Sequence, residues 1–521
     1  MASNNSPRTR VAVLGGGISA LTAAWHLTST PALRDRYDVT VYQMGWRLGG
    51  KLASGRNAKL GMRNQEHGLH VWFGWYENAF ALFQQLLAEW LPMAPADCPI
   101  QQWQDAFEPC LYTPLGQQLG GERKLWKFKW SGNSDRPGDG KVLLSAKAIL
   151  IGALQWMETL VARGVKLNFF HKVTNIRASK DGSHIEGLDI ARQVRIQGAA
   201  SGGQYQPLFT CKGMRCWPAE PLWQQLEGGE ALQQAGVDLE SNWCQLPPAE
   251  MIHLQAGSDF DHGVLGIALG PWKDLGYPGD LGANLRASNA KLRQMAAALP
   301  IMPSGGVQLW CDRTTTGLGF EQPGVPKARV AGVSIAPPMD VWADMTPTLA
   351  TEDWGLDGPA SVQYLCGTLD SDLYRQPPTN AAVPKQARDR LLELMAGQLK
   401  ATGAVMWPAA RKGDDFDWDV LHADPAAQGI ERLDQQWIRA NVDPTECCVS
   451  SPANTTQLRL RADQTGVDNL WLCGECAYTG VNSTCVESVV MAGMQAARAL
   501  SGQSLTVVGE TFLAGGWRPA K

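Results

Sequence analysis

The chain has 521 residues and a formal net charge of -4. That length exceeds one simple core and predicts two or three domains. The charge leaves no broad basic field for a phosphate backbone, so no nucleic-acid partner is expected. No run of about 20 apolar residues exists, which argues against a spanning helix. The first apolar run, residues 11–14, is too short for a secretory core, so no signal peptide is expected. With no leader, the 12 Cys read as reduced thiols of a cytoplasmic protein. The 21 Trp either line apolar pockets or fill the core.

A polar arm, expected to be disordered, precedes a strand at residues 10–14. Gly15-Gly16-Gly17 follows at once, then a helix over residues 18–28 with Ala20, Ala23, Ala24 and Leu27 on its apolar face. Residues 37–42 form a second strand, completing a βαβ unit. The apolar stretch 143–160 reads as a buried helix, with a membrane-dipping helix as the alternative. Strands are predicted over 165–170 and 173–177, and a hairpin turn at 180–183 leads into 184–190. Residues 197–218, rich in Gly and polar residues, read as a loop or insertion. Strands of a second sheet are expected at 305–311 and 328–335, and a helix over 385–401 ending before Gly403. The acidic cluster Asp414, Asp415, Asp417 and Asp419 reads as a solvated surface. Near the end come a strand at 469–473 and a helix over 484–500.

The first motif is Gly15-Gly16-Gly17-Ile18-Ser19-Ala20, which fits GxGxxG/A in its required strand–turn–helix setting. Gly15 permits the tight turn, and Gly17 lets a pyrophosphate approach the backbone. Ala20 allows the helix to pack on the sheet. The helix start at Ile18 and Ser19 offers N–H groups and a positive dipole end to phosphates. The strand-end acid that usually receives the ribose hydroxyls is replaced by Gln43, followed by Met44. Gln43 can accept a hydrogen bond, without the strength that charge adds.

Downstream lies Gly45-Trp46-Arg47-Leu48-Gly49-Gly50-Lys51. A strand end, a short gap and RxGG together resemble the flavin amine oxidase and carotenoid (phytoene and zeta-carotene) desaturase superfamily of FAD-dependent oxidoreductases. The resemblance implies that Arg47 neutralises the pyrophosphate and that Gly49 and Gly50 pass close to the cofactor. The segment from Glu66 through Gly68, Leu69, His70 and Gly74 to Tyr76 is similar to the plant and cyanobacterial desaturases. It implies that Gly68, Leu69 and His70 lie beside the flavin ring. His70 is then either a catalytic group that tunes the flavin or moves a proton, or a structurally bonded histidine.

Cys473-Gly474-Glu475-Cys476 has CxxC spacing. Zinc would need a second ligand pair, for which Cys211 and Cys216 match poorly, so no metal is expected. The resemblance offers another reading, in which Glu475 after Gly474 accepts a bond from the ribityl chain. Glu487 and Ser488 would open a helix whose dipole faces the flavin pyrimidine, and Val173 would contact adenine through its backbone. The implied fold is α/β: a Rossmann-type FAD-binding domain built from discontinuous segments, plus a substrate domain with a mixed sheet and helices. The expected FAD-binding parts are 1–90, 165–195 and 461–521. Substrate parts are 91–164, mainly helical, and 196–460.

The leading expectation is an oxidoreductase that removes hydride from an apolar, partly apolar or aromatic small molecule and desaturates a C–C bond. Oxygen or a quinone would accept the electrons, and peripheral membrane contact would accompany a carotenoid-like substrate. One alternative is an amine or amino-acid oxidase using oxygen, and another is an isomerase or non-redox flavoprotein.

Overall fold

A computed structural model describes residues 7–110, 112–119, 122–129, 137–139, 146–149, 154–198, 203–277, 280–320, 331–332 and 335–511. The polar arm at 1–6 lies outside them. The first structural unit is a parallel sheet. It takes β1 (Thr9–Leu14), β2 (Tyr37–Tyr42), β3 (Lys166–Asn168), β4 (His262–Leu265) and β5 (Leu470–Leu472) in the spatial order β3-β2-β1-β4-β5. All four pairings are parallel. Val11, Ala12, Val13 and Leu14 are buried, as a central parallel strand covered on both faces requires.

Helix α1 (Ile18–Leu27) leaves β1 through Gly15, whose φ of +91° lies in the left-handed region that favours glycine. Every residue of α1 is buried. Its close seat on the sheet is visible at Ala20, since a Cβ added to Gly266 would stand 2.6 Å from the Ala20 Cβ. On the other side, helix α4 (Val486–Ser501) crosses α1 at Gly493. A Cβ there would lie 2.3 Å from the Ser19 carbonyl oxygen. Two short residues thus let one helix touch both the sheet and its neighbour. Helix α2 (Glu77–Trp90) packs beside α4 and joins the same apolar core.

The second unit is an antiparallel sheet in the order Ala331–Gly332, Val341–Asp344, Ser361–Thr368, Ser304–Cys311, Trp437–Asn441. Its apolar face packs with helix α3 (Val383–Met406) into a separate core containing Val307, Leu309, Trp342, Leu365, Leu391 and Met395. A three-stranded antiparallel sheet of His171–Ala178, Ile185–Arg192 and Glu250–Gln255 flanks the parallel one.

Several expectations change. Residues 262–265, expected in a substrate segment, are the fourth strand of the parallel sheet, and the described residues of 91–164, expected to be mainly helical, hold four strands beside the helix Leu154–Ala162. Within the stretch expected as one helix over 143–160, Ala146–Ile149 is a strand held between Val71–Phe73 and Phe107–Cys110. Helix begins only at Leu154, and 141–145 and 150–153 lie outside the described residues. Pairing with two distant strands overrides the local helical pattern there. The segment 197–218 holds a small hairpin, Phe209–Cys211 with Met214–Cys216, and 199–202 lie outside the described residues. Helix α3 runs through Gly403, because the missing side chain makes room for Phe416: a Cβ would sit 3.1 Å from its ring. Of the strand expected at 328–335, only Ala331–Gly332 is described as strand, and 321–330 and 333–334 lie outside. In the acidic cluster Asp417 is buried and pairs with Arg313, so that cluster is not wholly solvated. No described helix is long and apolar enough to cross a membrane.

Candidate functional site

The C-terminal ends of β1, β2 and β5 open onto a cavity of about 660 Å³. That size falls in the range of about 300–1,000 Å³ common for small-molecule sites. One wall is the glycine turn with Gly15, Gly17, Ile18 and Ser19, joined by Gln43, Met44 and Val173. A second is Arg47, Gly49, Gly50 and Lys51. A third is Gly68, Leu69 and His70, and a fourth is Gly474 and Glu475 from the far end of the chain. The antiparallel sheet supplies the opposite side through Gly305, Tyr364, Cys366 and Arg439.

The backbone suits a close-lying ligand. A Cβ placed on Gly17, Gly68 or Gly474 would meet no protein atom within 4 Å. Helix α1 starts at Gly17 without a side-chain cap and without an acid in its first turn, so its N–H groups are left for another acceptor. Gly49 donates its N–H to Gly16 O at 2.8 Å, drawing the second glycine pair against the first. From the other end, Gly474 donates its N–H to Ser19 Oγ at 2.8 Å. The two glycine motifs, more than 450 residues apart in sequence, are therefore directly bonded.

The charged groups around the cavity are mostly paired with one another. Arg47 donates from Nε and Nη2 to the Glu240 carboxylate at 2.8–3.0 Å. Lys51 Nζ lies 2.5 Å from Glu475 and donates to Cys447 O at 2.7 Å. Burial works to lower the Lys51 ammonium, but the Glu475 carboxylate overcomes it and holds Lys51 above its ordinary value. Glu475 also accepts from Val449 N–H at 3.0 Å and Thr484 Oγ1 at 3.2 Å. Gln43 spends its amide on the loop itself. Its Oε1 accepts the Gly16 N–H at 2.6 Å, and its Nε2 donates to Met44 O at 2.5 Å. The replacement of an acid by Gln thus stiffens the turn through a neutral side chain.

His70 is held at both ring nitrogens, with Nε2 3.0 Å from Lys51 O and Nδ1 3.3 Å from Glu66. Burial would raise the Glu66 carboxyl, yet its bonds from His70 and Ser54 keep it below the ordinary value. The expectation of a catalytic histidine therefore meets an imidazole whose two nitrogens already face protein acceptors.

Glu487 and Ser488 are not at the cavity. Glu487 is buried and accepts the N–H groups of Asn78 and Ala79 at 3.0 and 2.8 Å, capping α2. Ser488 bonds Thr479 through their hydroxyls at 2.9 Å. The helix start that the resemblance placed at the cofactor contributes Cys485, Val486 and Val489 instead. Helical spacing explains this, since residues 487 and 488 lie on the side of α4 away from 486 and 489.

Other lining residues were not singled out from sequence. His67 sits inside the already quoted Glu66–His70 segment. Burial, and then the cations Arg439 and Lys51, hold its imidazole well below the usual range, so it is neutral. Its Nε2 is buried, without a hydrogen-bond partner among the described residues, 3.7 Å from Glu446. Burial pushes the Cys366 thiol up to about 12, so it is no thiolate. Glu240, Arg439 and Glu446 lie in segments with no motif and reach the cavity only through the tertiary fold. Among the described residues no cluster of His, Cys, Asp or Glu could hold a metal, and Cys473 and Cys476 are buried free thiols.

Residues 13–86 match the family model of an NAD(P)-binding Rossmann-like domain. The parallel sheet, the glycine turn and this match decide the fold. The first unit is a Rossmann-like domain. No curated protein matches the chain. Among solved structures, an oxidoreductase from Methanosarcina mazei is 10% identical. The alignment covers 95% of this chain and 100% of that one, with a TM-score of 0.50. At that identity the likeness speaks for the fold alone. A redesigned putrescine oxidase is 12% identical over 96% of this chain and 100% of its own, TM-score 0.48. A 2-methyl-3-hydroxypyridine-5-carboxylic acid oxygenase is 11% identical over 98% and 86%, TM-score 0.39–0.41 across its structures at 11–12% identity. In the Rossmann-like domain, the site lies at the carboxyl ends of the strands, where ligands of such sheets bind.

Proposed function

We propose that this chain is an FAD-dependent oxidoreductase that removes hydride from an apolar or partly apolar small molecule, desaturating a C–C bond. The observation that carries the reading is the direct bond between the two glycine motifs, Gly474 N–H to Ser19 Oγ, at the open N-terminus of α1. The second motif supports FAD, whose ribityl chain and flavin ring would extend past the diphosphate and meet Gly474 and Glu475.

FAD supplies the hydride acceptor when bound. The chain's own residues do the rest. Gly17, Ile18 and Ser19 would hold the diphosphate through backbone N–H groups, while Gly15, whose N–H is bonded to Tyr42 O at 2.9 Å, sets the turn. Gly68 and Gly474 leave space for a flat ring against the backbone. His70, tied to Glu66 and Lys51 O, is a positioning residue that sets the Gly68–His70 segment. Leu69, Val71, Phe73, Tyr76 and Tyr364 exclude water and favour an apolar substrate body.

The test is anaerobic. Purified protein, yellow with bound flavin, is mixed with isoprenoid lipids, amines and amino acids in turn. Bleaching of the visible flavin band by a lipid, with a product two hydrogens lighter, is the expected result. Bleaching by amines alone would replace desaturation with amine oxidation. A colourless protein that takes up no FAD would end the reading altogether.

A further inference from the structure

The cofactor cavity shares a wall with a second cavity of about 1040 Å³. Four residues line both: Arg47, Glu240, Arg439 and Glu446. They form two ion pairs, Arg47 with Glu240 and Arg439 with Glu446. Arg47 and Glu240 are the more telling couple. Among the described residues, the Glu240 carboxylate takes hydrogen bonds from Arg47 alone, and Arg47 donates to Glu240 alone. Glu475, by contrast, is fixed by Lys51, Val449 and Thr484 together. The chain also makes room for Glu240. Its Cγ fills the space beside Gly45, where a Cβ would stand 2.3 Å away, and Gly45 has a φ of +76°.

A dinucleotide brings two phosphate charges to this wall. Arg47 follows the glycine turn in the cavity lining, while a carboxylate already holds its guanidinium. Both anions cannot keep full charge at one cation in a buried site.

Resting on the FAD reading above, we propose that Glu240 competes with the dinucleotide's diphosphate for Arg47, gives Arg47 up when the cofactor binds, and takes a proton from solvent as it does so. The step balances as protein plus FAD plus one proton giving the complex, with no bond to the cofactor made or broken. The charged groups facing Glu240 act in both directions: Arg47 and Arg439 favour its ionised form and Asp238 opposes it, while Arg439 is itself already paired with Glu446. Burial already raises the Glu240 carboxyl above its ordinary value, ahead of the lowering by Arg47. A proton is therefore within reach once Arg47 turns away, and the second cavity gives the neutral acid space to move.

A complex that holds one more proton than its parts weakens as pH rises, by up to about tenfold per unit. The experiment titrates FAD into apoprotein by calorimetry, in two buffers of different ionisation enthalpy. Wild type should take up close to one proton. Glu240→Gln should take up none, bind FAD about tenfold tighter above neutrality, and lose the pH dependence. Glu220→Gln, which alters a carboxylate of the second cavity that does not line the first, should keep the uptake. Melting curves of both variants confirm folding, and the wild-type uptake needs no variant at all. No proton uptake in wild type, or uptake that persists in Glu240→Gln, overturns the proposal while leaving the FAD reading intact. Absence of any FAD binding removes the reading on which it rests.

Discussion

Gly17 separates the needs of folding from those of binding. Its φ of -72° suits any residue, and a Cβ there would touch nothing. Gly17→Ala should therefore fold with a stability within about 1 kcal/mol of wild type. The added methyl nevertheless stands where a diphosphate must approach the backbone. FAD affinity, read by flavin fluorescence, should fall more than about tenfold, a loss of about 1.4 kcal/mol. Unchanged affinity would place the diphosphate elsewhere. Gly15, with its positive φ, permits no such separation. These glycines were legible in the sequence because their requirement is local: a turn between strand and helix needs them whatever surrounds it. Arg47 was legible as a cation at the site, but its partner was not. Glu240 follows it by nearly 200 residues and carries no motif.

At the scale of elements, helix α4 shows how a correct motif can misplace its side chains. The segment from Cys485 onward does open a helix, and that helix does border the cavity. Yet Glu487 turns back to satisfy the free N–H groups of α2, so it ties two helices together. Burial raises its carboxyl from 4.5 to about 7. The native state thus binds this proton more tightly than the unfolded chain. The stability so gained is full below 4.5 and is lost as pH rises through about 7, on the order of 3 kcal/mol in all. Glu487→Gln cannot titrate. Thermal melts should show wild type losing more stability across that window than the variant, in which Glu446 and other groups still titrate, so that the gap narrows or reverses at higher pH. Parallel slopes would mean that Glu487 stays ionised throughout, held by its N–H donors.

At the scale of the whole molecule, the cavity lies between two bodies with separate apolar cores, the Rossmann-like domain and the antiparallel sheet. Tyr364 and Cys366 come from the second body, Gly15 and Gly474 from the first. A ligand filling the space should hold both together. Hydrogen exchange with saturating FAD should slow amides at 15–19 and also at 364–368. Protection confined to 15–19 would show that the cofactor does not reach the antiparallel sheet.

The sequence by itself determined the Rossmann-like turn, the two glycine motifs and the absence of a long apolar span. All three rest on backbone rules or on runs of neighbouring residues. Tertiary structure alone decided that His262–Leu265 is the fourth parallel strand, that Ala146–Ile149 pairs rather than coils, and that Arg47 and Lys51 are met by Glu240 and Glu475. The physical reason is distance along the chain. Strand pairing and charge pairing pay no regard to sequence separation, and a short apolar run or a single acid carries no local sign of its partner.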